Sequence, residues 1–130
     1  MNILVVYHSA GTFDAFAAAL AENEHISLSQ TDAPEQALAM IGQGGIEVVI
    51  VADKLVNQSG IDFINAMVKV NPMVNSALVS ELGKDDFHEA TEGLGVLMKL
   101  SSPPTREDAV VLQEKLAKIA GLLVEAKGGE

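Results

Sequence analysis

Short apolar runs alternate along the chain with stretches whose apolar residues recur every three or four positions. Ile3 to Val6 and Val48 to Val51 are continuous and rich in β-branched side chains, the pattern of parallel strands buried on both faces. Ser76 to Val79 and Val96 to Met98 read as shorter strands of the same kind. Ile26 to Ser29 is the weakest, its Ile26 and Leu28 alternating with Ser27 and Ser29. Between these runs, Phe13, Phe16, Ala17 and Leu20 fall at helical steps, and Ala37, Met40 and Ile41 do so after the helix-start signal Asp32-Ala-Pro-Glu. Further helices are predicted over Ile61 to Val70, stopped by Asn71-Pro72, over Asp85 to Glu92, and from Thr105 to Val124 after Pro103-Pro104. Five β/α units of this kind predict a doubly wound α/β domain, because each right-handed crossover lays its helix against a parallel sheet. The domain is expected to span residues 1–124, with 125–130 a frayed tail.

Composition narrows the functional classes. With 48% of its 130 residues apolar, the chain can bury a substantial core without disulfides or metal. A net charge of −10 with only eight Lys and Arg argues against a phosphate-tracking surface, so nucleic acid is not an expected partner. The absence of cysteine removes thiolate catalysis, disulfides and Cys-based zinc sites. His8, His25 and His88 have no metal-ligand spacing, so no metal and no cofactor is expected. No basic leader and no apolar stretch of membrane-spanning length is present. A cytoplasmic location with no membrane contact is therefore the expectation.

In an open parallel sheet, function gathers where the strands end at their carboxyl edge. Tyr7-His-Ser-Ala-Gly-Thr12 follows the first strand, and Ala52-Asp53-Lys54 the third. Ser80-Glu81 follows the fourth, and Lys99-Leu100-Ser101 the fifth. A serine and a lysine from separate strands thus face the end of a third.

With these residues in place, the chain resembles the CheY-like receiver domain of two-component response regulators over nearly its whole length. The resemblance implies a flavodoxin-like three-layer sandwich with spatial strand order 2-1-3-4-5. It also implies an aspartate at the end of the third strand that accepts a phosphoryl group, an acidic pair after the first strand that binds Mg²⁺, a Ser or Thr ending the fourth strand and a Lys ending the fifth. Ser80 and Lys99 match the last two roles. In that family the phosphoacceptor commonly stands eight residues before the glycine opening the third helix and five after an acidic residue at the start of the third strand. Counting from Gly60 and from Glu47 gives Ala52 both times.

Alanine accepts no phosphoryl group, and Asp53 falls one residue late. Neighbouring side chains at an extended strand end point to opposite sides, which turns Asp53 away unless a bulge turns it back. Tyr7 and His8 stand where two Mg²⁺ carboxylates are required. Val56 and Leu100 replace the prolines that the family usually places after the phosphoacceptor and after the Lys. The expectation is a degenerate receiver that works by protein contact and not by catalysis. Lys99 then binds an anion, pairs with Asp53 or Glu81, or reaches solvent; Ser80 serves as a turn or capping residue; His8 is either a packed loop histidine or a ligand contact.

Two rival classes share parts of the pattern. His8 and Asp53 resemble the histidine and orienting aspartate of mannose-type sugar phosphocarriers. The loop after the first strand resembles the phosphate loop of flavodoxins, but the chain has no Trp and a single Tyr to hold a flavin ring. For association, the resemblance implies a homodimer or partner surface made by the fourth helix, fifth strand and fifth helix. Val111, Leu112, Lys115 and Leu122 are its candidate residues, set in the mixed charge of the last helix.

Overall fold

The computed structural model describes residues 1–128, with side chains through Ile119. Five strands form one parallel sheet: β1 (Asn2–Val6), β2 (Ser27–Thr31), β3 (Val48–Val51), β6 (Asn75–Val79) and β7 (Val96–Leu100). A separate two-stranded ribbon, β4 (Lys54–Leu55) and β5 (Gln58–Ser59), lies between β3 and the third helix. The sheet order is β2-β1-β3-β6-β7, which is the expected 2-1-3-4-5 once the ribbon is set aside. The helices are α1 (Asp14–Ala21), α2 (Pro34–Gln43), α3 (Gly60–Val70), α4 (Lys84–Ala90) and α5 (Arg106–Gly128). α1 packs beside α5 and α2 beside α3, as right-handed crossovers around this strand order require.

The central strands account for the core. Every residue of β3 is buried, and so is β1 from Ile3 to Val6. Phe16, Leu20, Ile41, Phe63, Ile64 and Met67 cover the two sheet faces with almost no exposure. The helix boundaries have local causes. Pro34 occupies the first turn of α2, where its missing N–H costs nothing. Ser59 caps α3, its Oγ accepting from the Asp62 N–H at 3.1 Å. At the start of α5, Thr105 Oγ1 accepts from the Asp108 N–H at 3.1 Å while the Asp108 carboxylate accepts from the Thr105 N–H at 2.9 Å, a reciprocal capping box.

Several boundaries differ from the sequence reading. The second strand is Ser27–Thr31, set by its register with β1, and not Ile26–Ser29. β7 continues to Leu100, because Lys99 pairs with Leu78 and Leu100 with Val79. Lys99 is therefore inside the strand and not in the loop after it. The register with β6 steps from Ser76↔Val96 to Ala77↔Met98, which leaves Leu97 as the extra residue of a bulge. α5 extends through Gly128, into the stretch expected as a tail.

Candidate functional site

The carboxyl edge of the sheet brings all six candidate positions to the ends of the neighbouring strands β1, β3, β6 and β7 and leaves them in different environments. Ala52 is 6% exposed, and its N–H donates to the Val6 carbonyl at 3.0 Å. Its own carbonyl lies against Gly60, where any Cβ would collide with that oxygen and would reach Leu78 Cδ1 at 2.7 Å. The two ends of the segment 52–60 are thereby held together. The Gly60 N–H also donates to the Asp53 carbonyl at 2.8 Å.

Asp53 is half-buried and lines a crevice of about 420 Å³ together with Lys54, Ser59, Ser80, Glu81 and Leu82. Strict alternation along a strand would have placed Asp53 away from Ser80. β3 ends at Val51 and the ribbon begins at Lys54, so the chain turns between them and alternation no longer governs the side chain. The ribbon is absent from the sequence reading. Its turn, Val56-Asn57, puts Asn57 at φ 68°, a conformation that Asn adopts more readily than most residues.

Lys99 is exposed and makes no ion pair with Asp53 or Glu81 among the described residues. Its Nζ donates to the Leu82 carbonyl at 2.7 Å. Ser80 acts on the same residue from the other side, its Oγ accepting from the Leu82 N–H at 3.1 Å. The expected capping or turn role of Ser80 thus has a defined partner.

Tyr7 and His8 lie apart from that crevice. Tyr7 is half-buried, its N–H donating to the Thr31 carbonyl at 3.0 Å, and it borders a separate cavity of about 200 Å³ with Ser9, Ala10, Gly11, Phe13, Asp14 and Gln30. His8 is exposed, with no hydrogen bond to Asp53 among the described residues. Among the described residues no group of three or more His, Asp or Glu is placed to hold a metal ion.

The candidate association residues divide along α5. Ala109, Leu112 and Leu116 face the sheet and are buried. Leu112, at 0% exposure, must be removed from the surface set: its spacing of three from Ala109 and four from Leu116 places it on the core stripe. Arg106 and Gln113 mark the flank toward α1, where they contact Glu22 and Asn23. Val111, Lys115 and Lys118 lie on the opposite flank, toward β7, and with Glu114 they border a shallow groove of about 380 Å³. Leu122 lies outside the described side chains. Among the described residues no helix is long and apolar enough to cross a membrane.

No protein-family model matches this chain, and no curated protein matches it in sequence. Solved structures do match in shape. The signal receiver domain of an HD domain-containing protein from Pseudomonas fluorescens Pf-5 aligns with a TM-score of 0.74 at 18% identity, covering 90% of this chain and 87% of that one. The chemotaxis response regulator CheY4 of Vibrio cholerae aligns at 0.73 and 16% identity, over 88% and 97% of the two chains. NtrX from Brucella abortus aligns at 0.77 and 19% identity over 97% of this chain, which spans only 29% of NtrX. The fold of this chain is therefore that of a CheY-like response-regulator receiver domain.

Proposed function

We propose that the chain is a degenerate receiver, acting in the cytoplasm in signal transduction by contact with protein partners and independently of phosphorylation. The observation that carries this reading is Ala52. By the spacing usual in receivers, Glu47 and Gly60 both point to Ala52 as the phosphoacceptor position, and the close approach of Gly60 to the Ala52 carbonyl gives one of those anchors a steric basis. Tyr7-His8 in place of the acidic pair supports the same reading from a different strand. Ser80 and Lys99 are engaged with Leu82. The site on this reading is a remnant that shapes the surface and performs no chemistry.

The contact surface is the face made by α4, β7 and the α5 flank bearing Val111 and Lys115, used for a homodimer or a pathway partner. Val111 is 39% exposed, and Val96, Leu97 and Met98 of β7 are only half-buried, which leaves apolar area beside charged side chains. No observation favours the phosphocarrier reading, which needs His8 oriented by Asp53.

Incubation with acetyl phosphate and Mg²⁺ followed by intact-mass measurement tests the proposal. The expected result is no stable mass gain. A Mg²⁺-dependent gain that disappears in Asp53→Ala would make Asp53 the phosphoacceptor and end this reading.

A further inference from the structure

Leu82 is tethered at both of its peptide groups. Its N–H reaches Ser80 Oγ at 3.1 Å and its carbonyl accepts from Lys99 Nζ at 2.7 Å. The start of the same loop is tied to β7, where the Ser80 N–H donates to the Leu100 carbonyl at 3.2 Å. Two adjacent strands therefore hold one residue of the β6–α4 loop.

The helix beyond this tether has few anchors of its own. α4 has seven residues, and Phe87 is its one buried side chain. Its N-cap, Gly83, offers no side-chain cap, and the Phe87 N–H bonds back to the Gly83 carbonyl at 2.9 Å. A helix this short is marginal by itself, so its placement depends on how the chain enters it. The entry is Leu82-Gly83, and Lys99 is the long cationic side chain that fixes it, through a charge-assisted hydrogen bond stronger than a neutral one.

We infer that Lys99 is a positioning residue: by holding the Leu82 carbonyl it fixes the β6–α4 loop and the first turn of α4, so that the contact face keeps one conformation with no phosphoryl group present. The inference rests on the degenerate-receiver reading and assigns a task to the lysine that reading leaves over. It also explains why Lys99 bonds to a backbone oxygen with two carboxylates, Asp53 and Glu81, at the neighbouring crevice.

Amide hydrogen exchange on the full chain tests it, comparing wild type with Lys99→Met, Lys99→Arg and Ser80→Ala. Lys99→Met keeps much of the side-chain bulk and removes the donor; the hydrogen-bonded amides of this segment, Leu82 and those from Phe87 to the end of α4, are expected to exchange about fivefold faster or more, while those of β1 and β3 are unchanged. Lys99→Arg retains a donor and is expected to stay within about twofold of wild type. Ser80→Ala frees only the Leu82 N–H and is expected to loosen the same segment. Exchange in Lys99→Met equal to wild type overturns the inference, and so does a rise spread evenly over β1 and β3. If the chain instead gains mass with acetyl phosphate, the reading of the site fails while the exchange result stands, so the two failures are separable.

Discussion

The α-carbon of Gly60 packs so closely on the carbonyl of Ala52 that no side chain fits between them. The contact joins the end of β3 to the first residue of α3 and fixes the distance between the strand edge and the helix whose cap is Ser59.

Gly60→Ala is therefore expected to destabilise the fold by about 2 kcal/mol or more, because the obstructing atom is backbone and cannot rotate aside. Urea unfolding followed by circular dichroism measures this. A loss below about 0.5 kcal/mol would show that the 52–60 segment can shift without cost.

On α5, two consecutive residues should answer differently. Leu112→Ala removes a fully buried side chain and is expected to cost about 2–5 kcal/mol. Val111→Glu, on the exposed flank, is expected to change stability by no more than about 0.5 kcal/mol while abolishing self-association. Sedimentation of wild type and Val111→Glu at matched concentrations decides the second point. An unchanged oligomeric state in the variant, or a wild-type monomer at tens of micromolar protein, would show that this flank is not the homodimer surface.

Arg106 and Glu22 make a bidentate pair between α5 and the end of α1, with 62% and 58% of their side chains exposed. The hydrogen bond from Arg106 outweighs the opposing desolvation and, with a smaller contribution from the charge of Arg106, holds the Glu22 carboxyl below the usual carboxylate range. A folded-state value below the unfolded one means that the stabilisation is fully present above about pH 4.3 and is lost as pH falls through the lower folded value. Arg106→Gln is expected to raise the Glu22 titration midpoint, read by NMR, and to flatten the acid limb of stability in that window. Added salt should weaken the wild-type effect, since both groups face water. A Glu22 midpoint unmoved by Arg106→Gln would refute the pairing.

The central strands were legible because fully buried parallel strands leave unbroken apolar runs, as Ile3–Val6 and Val48–Val51 do, whereas the sheet order came from the receiver resemblance and not from the runs themselves. The eight-residue spacing between Ala52 and Gly60, used through the family resemblance, has a physical cause in the close backbone contact between them, and such contacts leave glycine in the sequence. The β4–β5 ribbon was not legible, since two-residue strands are too short to show a period. Nor was the Lys99–Leu82 bond. A lysine reaching a backbone carbonyl places no demand on the identity of the residue that owns the carbonyl, so no pattern of residue types records it. Leu112 was misassigned by reading it with its neighbour Val111; the 3-4 spacing of Ala109, Leu112 and Leu116 was the signal that separates them.

The parallel ladder also dictates an order of events during synthesis. β1 is made before its partners, which lie far downstream: Asn2 pairs with Ser27, 25 positions on, and Ile3 with Val48, 45 positions on. At about 5–20 residues per second, Ile3–Val6 waits roughly 2–9 s for its second neighbour to be made. Through that interval a wholly apolar strand of the finished core keeps open the edge that β3 will cover, so the nascent chain is exposed to aggregation before the half carrying Ser80, Lys99 and α5 exists.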